Sequence, residues 1–260
     1  AGRLPFKDVP EEVADRCLRQ DQADAPVAAS FEAGSPYRGV FRNGATLYPR
    51  ILCLVTRVRG SKIGVSPSSP IVCSEERERK GEWKSVTGLR GSIESSFLRP
   101  VYLGESIAPF RVLSPAEGIV PATTGGTVLS SVQASERNLP GLAKWLAEAE
   151  RLWTELGSEK VSLKQQFDHY GKLSSQIPVA HQRVVFAKAG LWPAACIVRD
   201  RRGIIDHKLY WADIPSEDEA RFLIAILNSE AARIRIAHLQ SRGEQGARDF
   251  DKLMFTLPIP

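Results

Sequence analysis

Between Pro140 and Gly157 the chain carries an unbroken helical stripe, and this stripe limits the folds open to it. Leu142, Trp145, Leu146, Ala149, Leu152, Trp153 and Leu156 recur at three- and four-residue steps, opened by Pro140-Gly141 and closed by Gly157. That spacing lines up side chains on one face of an α-helix. The flanking sequence has a different character. Upstream, short apolar runs at 46–58, 71–74, 83–87, 97–102, 109–113, 118–121 and 126–132 are separated by Gly and Pro, the pattern of short strands. Downstream, Arg183 to Ala189, Ala194 to Arg199 and Gly203 to Trp211 read as strands again, the last two joined by a hairpin turn at Asp200-Arg201-Arg202-Gly203. A long helix set among short strands predicts an α+β chain: an irregular mixed β-sheet with an inserted helical hairpin and a C-terminal helix.

The second arm of the hairpin starts at Ser162, which forms a capping box with Gln165 and is followed by Leu163, Phe167 and Tyr170 on one side. Trp145 and Trp153 are read as core residues rather than base-stacking ones, because an aromatic on an apolar stripe faces inward. A second capping box, Ser216 with Glu219, predicts a helix from Glu217 of about twenty residues, with Ala220, Leu223, Leu227, Ala231, Ile234 and His238 on its apolar face. It is expected to stop near Ser241-Arg242-Gly243, before an extended closing segment from Lys252 to Pro260. Residues 1–30, with Pro5, Pro10 and the polar, alanine-rich stretch from Arg19 to Ser30, read as an arm or linker. The main domain is then expected over 31–260, with the helical insertion at 139–175. This opening, and the Pro-Ile-Pro close, suggest a piece of a longer protein.

Composition narrows the function classes. At 260 residues, with 43% hydrophobic and 25% charged residues, the chain can bury a sizeable core, which argues against disorder. No run of eighteen apolar residues occurs and the N-terminus lacks a secretory layout, so a cytoplasmic protein with no membrane partner is expected. Cys17, Cys53, Cys73 and Cys196 form no C-x-x-C pair, and His169, His181, His207 and His238 stand in no ligand spacing, so no metal site is expected. The net charge of +5 is unevenly placed: residues 38–111 hold thirteen Lys and Arg against six Glu and no Asp. Such asymmetry points to a polyanion, or to charges that fold onto separate faces.

Candidate chemistry is sparse. Thr123-Thr124-Gly125-Gly126-Thr127 lacks the lysine of a phosphate loop, and Gly104-Glu105-Ser106-Ile107-Ala108 departs from a nucleophile elbow at its last position; both read as turns. Asp200, Asp206 and Lys208 have the types of a metal-dependent nuclease without its context. Binding candidates are better placed. Arg42 and Asn43 precede a strand and Arg50 follows Pro49, residue types able to contact guanine and adenine edges in pairs of hydrogen bonds. Gln240, Arg242, Gln245 and Arg248 lie in a glycine-bearing segment whose backbone N–H groups can approach phosphates. No catalytic residue is assigned.

Several of these segments form a recognisable series. Tyr210 and Trp211 precede a turn and an acidic helix start, followed by Ile226-Leu227-Asn228-Ser229, Ser241-Arg242-Gly243, Arg248-Asp249 and a closing Leu257-Pro258-Ile259-Pro260. With the stretches from Phe41 to Arg50 and from Tyr102 to Phe110, the series resembles the target-recognition domain of DNA adenine methyltransferases in restriction-modification systems, over most of residues 31–260. The resemblance implies sequence-specific binding of double-stranded DNA beside a catalytic methyltransferase domain of the same parent protein, which uses S-adenosylmethionine to make N6-methyladenine. That family's catalytic Asn/Asp-Pro-Pro-Tyr/Phe segment is missing, since the chain has no Pro-Pro pair, and no cofactor is expected here. Two alternatives remain at this level: a protein-interaction module docking through Pro140 to Leu173, and the nuclease.

Overall fold

Short strands bury little surface singly, so they are stable only where several pair and find an apolar cover. Here they assemble into two principal sheets. The computed structural model describes residues 35–58, 66–76, 81–190, 193–237, 248–250, 254, 257 and 259; the expected arm at 1–30 lies outside them. The larger sheet runs in the order β12 (Ile204–Ile205), β5 (Leu98–Tyr102), β8 (Ala116–Ile119), β2 (Leu54–Arg57), β3 (Ile71–Ser74) and β4 (Arg90–Ser92). Its pairs are antiparallel except for β12 against β5, with Ile204 opposite Val101. The second sheet has the order β1 (Arg42–Asn43), β13 (Leu209–Asp213), β9 (Arg183–Ala187) and β11 (Ala195–Val198), antiparallel throughout. Two small ribbons complete the set: β6 (Ile107–Ala108) with β7 (Arg111–Val112), and β10 (Ala189–Gly190) with β14 (Arg248–Asp249). The fold is therefore α+β with irregular mixed sheets.

The helical stripe folds as read. Helix α2 (Pro140–Leu156) buries Leu142, Trp145, Leu146, Ala149, Leu152 and Trp153 in one core with the six-stranded sheet. Trp145 and Trp153 donate their indole N–H to the carbonyls of Leu52 (2.9 Å) and Val161 (2.8 Å), so both are core residues with a satisfied polar end. The stripe is thus covered by this chain's own sheet.

Helix α1 (Ser131–Glu136) precedes α2, where the sequence suggested a strand over 126–132. Ser130 and Gln133 form a capping box, and its two reciprocal bonds favour helix at Ser131. Residues 83–87 are likewise not a strand: Gly81–Lys84 is a 3-10 turn that buries Trp83 against Trp153, with ring centroids 6.3 Å apart. Helix α3 (Leu163–Phe167) has the expected Ser162–Gln165 box and buries Leu163 and Phe167. Ser162→Ala is expected to lower stability by about 1 kcal/mol, the usual worth of such a cap, read from the urea midpoint. An unchanged midpoint would mean that tertiary contacts hold this turn without the cap.

The C-terminal helix is broken where one continuous helix was expected. Helix α4 (Glu217–Leu227) ends at Asn228, and α5 (Glu230–Ala237) starts after Ser229. Asn228 explains the break. Its Nδ2 donates to the carbonyls of Ala195 (2.8 Å) and Ile224 (2.7 Å), while its Oδ1 accepts from the Ala195 N–H (2.8 Å), tying the helix end to β11. Ser229 Oγ then caps Ala232 N–H at 3.1 Å. The break shifts the helical phase, so Ala232 and Ile236 are buried and the expected Ala231 and Ile234 are exposed. His238 lies outside the described residues. Of the Ser216–Glu219 box, Ser216 does cap Glu219 N–H, but the Glu219 carboxylate accepts from the Tyr37 hydroxyl (3.0 Å). The closing segment contributes Met254, Leu257 and Ile259 to the core of the second sheet.

Residues 200–203 are not a hairpin turn. They lead from β11 in one sheet to β12 in the other, and the strand expected over 203–211 divides into β12 and β13. A buried polar network spans this crossing. Arg183, on β9, donates to the carbonyls of Gly203 (2.9 Å) and Asp200 (3.2 Å). Gln176 donates to Ile205 carbonyl (2.9 Å) and accepts from Ile205 N–H (2.8 Å). Burial pulls the Arg183 guanidinium down to about 10, a sign of how thoroughly it has been removed from water.

Candidate nucleic-acid interface

The second sheet ends where β9 runs out at Ala187, and basic and polar side chains gather there. Lys188 N–H donates to the Lys208 carbonyl (3.0 Å), extending the β9–β13 ladder by one step and bringing the two lysines together. Lys188 Nζ stands 5.3 Å from the centroid of the Tyr210 ring, a cation–π contact that holds the ammonium in place. Lys208 is exposed on the turn before β13. Asp206 fixes that turn, its carbonyl accepting from Leu209 N–H (2.9 Å) and its Oδ1 from Lys208 N–H (3.0 Å). On the neighbouring edge strand, Asn43 Nδ2 donates to the His207 carbonyl at 3.3 Å. Gly44 lets this edge approach so closely, since a Cβ there would sit 2.1 Å from the Asp206 carbonyl oxygen.

The segment after α3 adds the third lysine. Asp168 Oδ1 accepts from Leu173 N–H (3.0 Å) and Ser174 N–H (2.8 Å), closing a tight turn over 168–174. Gln176 anchors the turn to β12, because the Nε2 that binds Ile205 also donates to Lys172 carbonyl (3.1 Å). Partial burial, and then the charge of Lys188, hold the Lys172 ammonium below its usual range. The two ammonium groups are thus within electrostatic reach of each other, and such a concentration raises the local potential for an anion.

Many surface arginines pair with carboxylates. Arg57 pairs with Glu117, Arg151 with Glu148 and Glu155, and Arg199 and Arg221 with Glu217, while Arg233 pairs with Glu230. Exposed pairs of this kind contribute little stability, and their charges largely cancel towards a distant polyanion. Among the described cations of 38–111, Arg50 is buried, Arg57 is paired and Arg99 is half-buried near Arg202.

The residues singled out from sequence reach separate places. Arg42 and Asn43 are consecutive on β1 and so face opposite sides of the sheet. Arg42 is exposed with its guanidinium 5.7 Å from the Trp211 ring centroid, on a cleft of about 390 Å³ shared with Ser175, Pro178 and Asp213. Arg50 is 3% exposed, its Nη2 lying 3.9 Å from Asp206 Oδ1, and in this position it is a structural charge. Arg248 is placed by its backbone opposite Gly190, two residues past Lys188. Gln240, Arg242 and Gln245 lie outside the described residues. Asp200 accepts from the Tyr102 hydroxyl (3.0 Å) and Asp206 is fully buried beneath His207. Among the described residues no group of three His, Cys, Asp or Glu is placed to hold a metal.

Lys172, Lys188 and Lys208 are not legible as a group in the sequence, where only Lys208 stands near Asp200 and Asp206. Their spacing has no period, and what joins them is a strand end, a turn and the Gln176 anchor. No described helix is long and apolar enough to cross a membrane. No protein-family model matches the chain, and no curated protein matches it in sequence. Among solved structures the chain is similar to the type IIG restriction endonuclease BpuSI, at 15% identity and a TM-score of 0.41, over 81% of this chain and 24% of that one. It therefore spans about a quarter of the length of that enzyme.

Proposed function

We propose that the chain binds double-stranded DNA through the end of the four-stranded sheet, as the target-recognition part of a DNA adenine methyltransferase or fused restriction-modification protein. The observation that carries the binding reading is the placement of Lys188 and Lys208 side by side at the strand end, with Lys172 in the turn that Gln176 ties to β12 and Asn43 on the neighbouring edge strand. The lysines would contact phosphates, which position the protein without reading sequence. Asn43 and Arg42 flank the edge strand from its two faces, and their side-chain types suit adenine and guanine edges. Methyl transfer and S-adenosylmethionine belong, in this reading, to a catalytic domain of the parent protein, because the catalytic Pro-Pro segment is missing from this sequence.

The test is a fluorescence anisotropy titration of a random-sequence duplex at several salt concentrations. Binding should weaken steeply with salt, with a log-log slope of about −0.9 for each phosphate neutralised, hence about −3 for three lysines. Salt-independent binding, or none at low salt, overturns the reading.

A further inference from the structure

Tyr170 is 87% exposed, beyond every other large apolar or aromatic side chain among the described residues. It also sits at φ 56° and ψ 30°, in the left-handed region that a bulky residue seldom occupies. The surroundings enforce this backbone: Asp168 holds the far side of the turn, Gly171 follows at φ 67°, and Gln176 fastens Lys172 to β12. An aromatic pushed into solvent at a strained position buries little surface for the fold, and strain of this kind collects at functional sites. Its neighbours bear on what it meets. Lys172 Nζ lies 5.7 Å from the ring centroid, and the His169 ring centroid is 4.2 Å away, its plane tilted by 57°. Beside the ring is a depression of about 330 Å³, lined by Val161, Lys164, Gln165, Asp168 and His169, with room for one nucleobase.

We infer that Tyr170 is a stacking platform for an unpaired base, received from DNA held by Lys172 and Lys188. An exposed π-face next to a phosphate-binding cation and a base-sized recess is the arrangement by which proteins bind unstacked nucleotides. A fully paired duplex offers no such face, so the chain should favour DNA with a base already out of the stack. This rests on the DNA-binding reading above and assigns a ligand feature to one residue of it.

The full chain is titrated against two duplexes of one sequence, one fully paired and one with a single bulged adenine, using the parent and the variants Tyr170→Ala, Tyr170→Phe and Tyr170→Gly. The parent should bind the bulged duplex about tenfold more tightly, within the range of aromatic–base stacking. Tyr170→Phe should keep that preference. Tyr170→Ala and Tyr170→Gly should lose it while binding the paired duplex as the parent does, and the glycine variant should melt no lower than the parent. A parent without the preference, or a preference that survives Tyr170→Ala, overturns the stacking role and leaves the binding surface standing. A parent that binds neither duplex overturns both.

Discussion

Asp206→Ala is expected to lower the stability of the fold by about 3–5 kcal/mol, as loss of one partner from a buried ion pair does. Asp206 is fully buried and stands at the junction of the two sheets. Its Oδ1 accepts from Lys208 N–H at 3.0 Å and lies 3.9 Å from Arg50 Nη2, while its Oδ2 is 3.0 Å from His207 Nδ1. Ala45 bridges Asp206 in parallel and donates to the Ile205 carbonyl at 2.7 Å, so the backbone at this point has no slack. Alanine would remove the carboxylate that lies 3.9 Å from the Arg50 guanidinium, itself 3% exposed. Urea unfolding should show a lower midpoint with an unchanged slope, the mark of lost stability rather than of an altered unfolded state. Arg50→Met placed in the Asp206→Ala background should recover part of the loss, because an apolar side chain of similar length needs no counter-charge. A loss below about 1 kcal/mol, or no recovery in the double variant, would show that Asp206 does not balance Arg50.

The second expected result concerns binding. Lys172→Ala, Lys188→Ala and Lys208→Ala combined should weaken duplex DNA binding by about a thousandfold or more at low salt, as three charged hydrogen bonds to phosphate are lost. The salt slope should become shallower by about 2.7, which is 0.9 for each lysine. All sequences should be affected alike, because phosphate contacts carry no base information. Folding should be nearly untouched. Lys208 is exposed, burial and then the charge of Lys188 already disfavour the charge of Lys172, and ordinary surface substitutions stay within about 0.5 kcal/mol. The check is anisotropy at three salt concentrations, paired with a thermal melt. A variant that melts like the parent and binds DNA as tightly moves the interface elsewhere on the molecule.

Arg42 and Asn43 show how far sequence could go towards the site. Their residue types are legible, but which way each points is not, since alternate strand residues face opposite sides and the pairing partner decides which side matters. Arg50 is the sharper lesson. In sequence it is an arginine after a proline at the head of a strand candidate; in the fold it is an interior charge beside a residue 156 positions away. Burial of a charge depends on where a distant carboxylate arrives, and no local pattern carries that.

What the sequence determined by itself were the features governed by interactions within a few residues. The stripe from Leu142 to Trp153, the cap at Ser162 and the start of α4 at Glu217 follow from helical period and capping chemistry, and the structure has each. The α+β class follows too, because short β-branched runs broken by Gly and Pro cannot form long helices. Tertiary structure decided everything that depended on a remote partner. Asn228 ends α4 because it binds Ala195 across the core, and that bond rotates the face of α5 from Ala231 and Ile234 to Ala232 and Ile236. Residues 200–203 cross between sheets instead of turning back, because β12 finds β5, a strand about a hundred residues earlier, as its parallel neighbour. The cluster of Lys172, Lys188 and Lys208 is of the same kind: a turn, a strand end and an edge are brought together by Gln176 and Asp206, which satisfy backbone groups far from themselves in sequence.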